Sequence, residues 1–366
     1  MDDLTMLRDL GRDLEHEPPA TLTHQRRRLL GAASRPQRTS RMFPAARPLR
    51  TLRVTRGWAA LGLAAAVTAA AAVAVPVVLR AYGFQAAVGD PSVTAPEGRR
   101  PPAADGTLDI LFVGTDSEAF NPRYKGNIGD RSDTMLLIHL PAGRKKATVV
   151  SFPRDSIVRI PSCRASGGKS VPARTGMINS AYTEGGLNCA WKTVESLTGI
   201  RVDHAMETDF SGFAKLVDAL GGVEVTLPRA VDDPKAKVKL PAGRQTLDGR
   251  AALGYARIRY TLGDGSDLIR VQRQQGLMAA LVKKAEKLTG DPAKLAGFLT
   301  EARRWVRTDP GFDAETMLSV AASLRTVKPG DVEFVIVPVH QHPADVNRLQ
   351  WNARASERLF AGLRKK

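Results

Sequence analysis

Arg131 and Asp133 stand two residues apart in GDRSDTMLLIHL, at the mouth of an apolar run that ends at Leu140. Side chains two apart on a strand share a face, so this run presents a guanidinium and a carboxylate together at its end. Two further sets obey similar spacing rules, and a single arginine at a strand end joins them. Arg257 and Arg259 are two apart in LGYARIRY, a segment that reads as extended. Arg154 leaves the end of an apolar strand just after the proline of SFPRD. Asp267, Arg270 and Gln274, in DLIRVQRQQ, are spaced three and then four apart, which puts them on one face of a helix. If these sets converge, they build a pocket of guanidinium groups with a few carboxylates, the chemistry that holds a pyrophosphate and a divalent cation together. Taken singly, each of these arginines reads more readily as a solvated surface position.

The elements that must position them alternate along the chain. LDILFVG, DTMLLIHL and KATVVSF read as strands, NCAWKTVESLTG and DFSGFAKLVDALGG as helices, and VEVTLP and VEFVIVPV as later strands. This order predicts one α/β domain over residues 105–366, closed by an amphipathic helix in NARASERLFAGLRKK.

Ahead of that domain, residues 57–79 (GWAALGLAAAVTAAAAVAVPVVL) carry no charge and lie between Arg56 and Arg80. At about 1.5 Å per residue the run is long enough to cross a hydrocarbon core of about 30 Å. An alanine-rich soluble helix is the competing reading, but it would need a polar face, and Thr68 is the only polar side chain apart from the Trp58 indole. Residues 1–56 hold 12 Arg and no Lys, which predicts a cytoplasmic tail and an uncleaved, single-pass signal anchor in the cell membrane. Residues 80–104, rich in Pro, Gly and Ala, have the composition of a linker, and the α/β domain after them is expected outside the membrane. Of the net charge of +17, the first 56 residues carry +6 and the remainder +11. A basic surface beyond the membrane meets phosphate-bearing lipids or anionic wall polymers; no helix-turn-helix pattern is visible, and no nucleic-acid partner is expected. Cys163 and Cys189 are the only cysteines and both fall in the outer domain, which suggests a disulfide. Two buried thiols are the alternative; partners at metal-site spacing are lacking, which argues against zinc.

Seven strings, GTDS, DRSDTM, SFPRD, MINSAYTEGG, DFSGFAKLVDALGGVEV, LDGRAALGYARIRY and DLIRVQRQQ, occur in this order between Thr107 and Ala280. Together behind a signal anchor they resemble the LytR-CpsA-Psr family of cell-envelope phosphotransferases. The resemblance implies an α/β/α sandwich, a mixed central sheet flanked by helices and enclosing an apolar lipid channel. It also implies transfer of a phosphoglycosyl polymer from a polyprenyl pyrophosphate carrier to a peptidoglycan hydroxyl such as the 6-hydroxyl of muramic acid. By the same resemblance Asp116 and Asp133 reach the divalent metal, Mg²⁺ or Mn²⁺. Arg131, Arg154, Arg257, Arg259, Arg270 and Gln274 hold the pyrophosphate, with Asp267 orienting the cluster, and Asp133, Arg154 and Arg259 carry the catalysis.

Two features depart from the family pattern. Met177 stands where a lysine is usual, so a phosphate contact is either missing or supplied by Lys169 or Arg174, and the stretch between Asp116 and Arg131 is long. SGGKS is not a phosphate loop, because that pattern requires glycine at Cys163 and a helix directly after it. His204, a lone imidazole at a strand start, reads as structural. A non-catalytic sensor or tether of pyrophosphate lipids and a pyrophosphate hydrolase are the competing functions.

Overall fold

The computed structural model describes residues 89–116, 131–165, 168–258, 261–262, 267–289, 291–325 and 327–365. The expected cytoplasmic tail over 1–56, the expected membrane helix over 57–79 and the first part of the expected linker lie outside the described residues, as does Arg259. Among the described residues no helix is long and apolar enough to cross a membrane.

In chain order the strands are β1 (Leu108–Thr115), β2 (Ser132–Leu140), β3 (Ala147–Ser151), β4 (Ile157–Ile160), β5 (Cys163–Arg164), β6 (Ser170–Val171), β7 (Arg174–Met177), β8 (His204–Thr208), β9 (Val223–Leu227), β10 (Val231–Asp233), β11 (Val238–Leu240), β12 (Gly243–Leu247), β13 (Arg307–Thr308), β14 (Val332–Ile336), β15 (Val339–His342) and β16 (Asp345–Trp351). The described α-helices are α1 (Ser180–Thr198), α2 (Phe210–Ala219), α3 (Gly249–Arg257), α4 (Asp267–Thr289), α5 (Pro292–Ala302), α6 (Ala314–Ser323) and α7 (Ala353–Arg364).

Six strands form the central sheet in the order β13-β8-β1-β2-β3-β14. β1 runs antiparallel to β2 and parallel to β8, while β3 runs antiparallel to β2 and parallel to β14, so the sheet is mixed. The alternation of β1 divides its two faces. Leu111 and Val113 enter a core built with Trp191 and Val194 of α1 and Phe360 of α7. Phe112 and Gly114 face the other way, into a cavity walled by α2, α3 and α4. A strand covered on both sides reads as a continuous apolar run, which is how LDILFVG reads.

The course of α1 depends on the two glycines of TEGG. Gly186 departs from helical backbone at φ 66° and ψ −159°. A Cβ at Gly185 would lie 1.9 Å from Cys189 Sγ, so only glycine leaves room for the sulfur there. Cys189 is joined to Cys163 by a disulfide with its Cα atoms 5.4 Å apart, closing a sequence separation of 26 residues. Chain-entropy arguments value such a loop at about 3 kcal/mol. Residues 89–100, inside the stretch expected to act as a linker, are fastened to the domain. Val93 is buried in the core. Asn188 Oδ1 accepts the Thr94 N–H at 3.0 Å, and its Nδ2 donates to the Ser92 carbonyl at 3.1 Å. Arg100 pairs with Glu195 at 2.6 Å.

Glu207, on β8, is a carboxylate buried inside the sheet layer and paired with Arg307 Nη1 at 2.9 Å. Burial pushes its carboxyl above the ordinary range; Arg307 and a hydrogen bond from Tyr182 oppose that rise. A raised carboxyl pKa favours the folded state below the unfolded value of about 4.3, and the advantage disappears as pH rises through the folded value. Urea unfolding of Glu207→Gln is therefore expected to show the variant gaining stability relative to the parent between pH 4 and pH 7. A difference that is flat or runs the other way contradicts the burial argument.

Candidate functional site

The site begins with an irregularity where β1 meets β2. Their register holds from Leu108 opposite Leu140 to Gly114 opposite Thr134 and then shifts, so that Thr115 faces Ser132. Asp133 is the extra residue of that bulge, a device that re-aims a side chain at the end of a ladder. Its Oδ1 accepts from Arg154 Nη1 and lies 3.8 Å from Arg270 Nη1. Asp116 follows directly on β1. Its Oδ1 accepts the Arg131 N–H at 2.6 Å, and its own N–H donates to the Arg131 carbonyl at 3.0 Å. The two carboxylates thus occupy adjoining strand ends.

Beside them opens a cavity of about 470 Å³. Asp133, Arg257, Arg270 and Gln274 are among its charged and polar lining residues, with Asp209, Asp233 and Lys235, and Phe213, Leu216, Leu253, Leu281 and Phe298 are among its apolar walls. The walls follow from local sequence signals. Asp209 caps α2 by accepting the Gly212 N–H at 2.7 Å, and Asp248 caps α3 by accepting the Ala251 N–H at 2.7 Å. A Cβ on Gly249 would lie 1.9 Å from the Ala214 carbonyl oxygen, so α2 and α3 close against each other only because that residue is glycine. On α4, Arg270, Gln274, Leu277 and Leu281 all line the cavity. Steps of four, three and four residues keep them on one helix face. That face passes from a cation through an amide to hydrocarbon.

Of the residues singled out in the sequence, Asp133, Arg154, Arg257, Arg270 and Gln274 gather at or next to the cavity. Arg257 arrives by a different route from the one its spacing suggests. It is the last residue of α3 and not part of an extended segment, because the Asp248 cap starts a helix that runs through LGYAR. Its guanidinium carbon stands 4.7 Å from the centroid of the Phe210 ring. Arg131 is exposed, just ahead of β2. Asp267 opens α4, but its side chain lies outside the described ones, as does Arg259 altogether. Neither Lys169 nor Arg174 lines the cavity. Lys169 is exposed beside the short β5–β6 pair, and Arg174 bonds to Glu184 at 2.8 Å and to the Ser180 carbonyl at 2.9 Å. His204 stacks on Phe312 with centroids 4.7 Å apart and lies 3.3 Å from Asp309, a structural role.

Several cavity residues lie outside the spacing sets, Asp209 and Lys235 among them. Thr134 donates to Gln274 Oε1 at 3.4 Å, Phe210 underlies Arg257, and Asp233 lines the wall. The Ala236 N–H holds the Asp233 carboxyl below its usual range against the opposing effect of burial, and the Thr261 hydroxyl adds to that. Phe210 had a legible signal, since it follows the capping aspartate of DFSG. Arg273, two residues past Val271 on α4, carries no signal in the spacing sets. It turns away from the stripe and donates to the carbonyls of Ile258 and Leu262, fastening the segment after α3 to α4.

Residues 85–361 match the sequence model of the LytR_cpsA_psr family. The chain is 35% identical over 267 residues to the cell wall biosynthesis protein LcpA of Corynebacterium glutamicum, covering 65% of this chain and 51% of that one. It is 34% identical over 193 residues to the polyisoprenyl-teichoic acid–peptidoglycan teichoic acid transferase TagT of Bacillus subtilis, covering 51% and 55%. The chain spans about half the length of these curated relatives. Among solved structures it is similar in fold to a LytR-Csp2A-Psr enzyme from Actinomyces oris, with a TM-score of 0.57 at 22% identity over 74% of this chain and 93% of that one. It is likewise similar in fold to TagT bound to LI-WTA, with a TM-score of 0.56 at 24% identity over 75% and 98%.

Proposed function

Because the chain belongs to the LytR-CpsA-Psr family, we propose that it transfers a phosphoglycosyl polymer from a polyprenyl pyrophosphate carrier to a peptidoglycan hydroxyl. The observation that carries this reading is the α4 stripe, in which Arg270 and Gln274 give way to Leu277 and Leu281 along one cavity wall. A donor with a doubly charged head and a long apolar tail needs that gradient. The name of the Bacillus subtilis relative, a transferase between a polyisoprenyl-linked polymer and peptidoglycan, supports the same donor and acceptor classes here.

In the proposed reaction the acceptor hydroxyl oxygen attacks the phosphorus that bears the polymer. A new phosphorus–oxygen bond forms as the bond to the bridging oxygen breaks, polyprenyl phosphate leaves with that electron pair, and the hydroxyl proton is released to water. Negative charge grows on the leaving phosphate. Arg154, Arg257 and Arg270, joined by Arg131, Arg259 and Gln274, hold the pyrophosphate and stabilise that charge, which needs no covalent intermediate. Asp267 orients the cluster. The donor set also fits a divalent ion, since Asp116 and Asp133 are carboxylates at adjoining strand ends. Mg²⁺ is commonly held by one or two protein carboxylates, with water and substrate phosphates completing its shell. Bound there, Mg²⁺ or Mn²⁺ supplies neutralisation of the phosphoryl oxygens. Membrane attachment through 57–79, with residues 1–56 cytoplasmic and the catalytic domain outside, puts the site where carrier and wall meet.

The full-length chain in detergent, given a short prenyl pyrophosphate glycoside and a muramic-acid-containing acceptor, is expected to release prenyl phosphate and to join the sugar phosphate to the acceptor. Prenyl phosphate release with no acceptor product would replace transfer by hydrolysis. Binding without release would leave a sensor or tether.

A further inference from the structure

Arg154 lies between two carboxylates. Asp133 takes one of its terminal nitrogens, and Asp155 Oδ2 lies 3.7 Å from its Nε. A second carboxylate beside an arginine that must attract phosphate would weaken it if nothing balanced the added charge. The balancing group comes from the β15–β16 hairpin. Arg348 Nη1 stands 3.9 Å from Asp155 Oδ1, and its Nε stands 3.5 Å from Asp345 Oδ2. Alternating charges therefore run from Arg270 through Asp133, Arg154, Asp155 and Arg348 to Asp345. The backbone follows the same path, because the Leu349 N–H donates to the Asp155 carbonyl at 3.1 Å and Ser156 forms a bridge with Leu349.

We propose that Arg348 is a positioning residue for Arg154: by holding Asp155 it fixes the guanidinium's direction and offsets the charge that Asp155 brings. The inference rests on the phosphotransfer reading and adds a hairpin remote in sequence to its machinery. Arg348 is 34% exposed and Asp155 20%, so water screens the contact and the effect is modest.

The test is a double-mutant cycle on the full-length chain in detergent, following release of prenyl phosphate. Arg348→Ala is expected to lower kcat/KM for the lipid about fivefold, the upper end for a partly exposed pair, because Arg154 meets pyrophosphate charge in the bound carrier as well as in the transition state. Arg348→Lys should recover most of the loss with an unchanged melting temperature, which separates positioning from collapse of the hairpin. In an Asp155→Asn background, Arg348→Ala should cost less than about twofold. An equal cost in both backgrounds, or none in the parent, overturns the proposal. The same cycle read by calorimetry with inorganic pyrophosphate needs no turnover. Absence of coupling there overturns the role of Arg348, whereas coupling without phosphotransfer overturns only the reading of the reaction.

Discussion

Arg154→Ala is expected to lower phosphotransfer by about two orders of magnitude while the domain stays folded. The Arg154 side chain is 17% exposed, bonded to Asp133 and next to a cavity whose polar end also holds Arg257 and Arg270. A group aimed at charge that grows in the transition state typically contributes about 3 kcal/mol, or about 100-fold in rate. Asp133→Ala should cost a similar amount for a different reason. It removes a carboxylate from the proposed metal site and leaves Arg154 and Arg270 without the anion between them, so the dependence of rate on added Mg²⁺ should weaken. Arg154→Ala should keep that dependence, and Arg259→Ala, by its place in the family pattern, should behave like Arg154→Ala. Arg201→Ala, outside the matched strings and the cavity, is the control and should resemble the parent. The measurement is prenyl phosphate release against Mg²⁺ concentration, with circular dichroism and melting curves to show that each variant folds. Undiminished turnover in all three site variants would eliminate the mechanism.

Much of this site could be read from spacing because helices transmit spacing faithfully. Arg270 and Gln274 share a face wherever their helix packs, and the same four-and-three count, carried on to Leu277 and Leu281, describes a whole wall. The strand ends were harder. At Asp133 the ladder slips by one residue, so the simple alternation that pairs Arg131 with Asp133 breaks where the site begins, and Arg131 stays exposed while Asp133 turns to Arg154. LGYARIRY looks extended by local composition, yet a cap at Asp248 and the close seat of Gly249 on Ala214 commit its first five residues, LGYAR, to helix. Both are tertiary facts with faint local traces. The hairpin that carries Arg348 is invisible to any local rule, since nothing in HQHPADVNRLQW indicates that it will lie against SFPRD. The apolar outer walls were likewise unmarked, because Leu253 and Phe298 read as ordinary core residues until the cavity between them is seen.

That cavity makes the second large prediction, which concerns the carrier's tail. If the apolar end takes prenyl chain, shortening the carrier removes hydrocarbon from the protein at about 0.8 kcal/mol for each buried CH₂. Burial of only half of a five-carbon unit then strengthens binding by about 2 kcal/mol, or about 30-fold. The tail is remote from the phosphorus under attack and binds equally in ground and transition states, so the change should fall on KM and leave kcat alone. With carriers of one to four isoprene units, KM is expected to drop steeply with each added unit until the cavity is filled and then to level off. Met278→Trp puts bulk into the cavity wall at a partly exposed position, and a melting curve checks that the variant folds. It should raise KM for the longer carriers, bring the plateau forward by at least one unit and leave the one-unit carrier unchanged. Chain-length dependence that persists unaltered in Met278→Trp would place the tail elsewhere. A KM indifferent to chain length in the parent would remove the lipid from the cavity and leave the guanidinium cluster reading only the head.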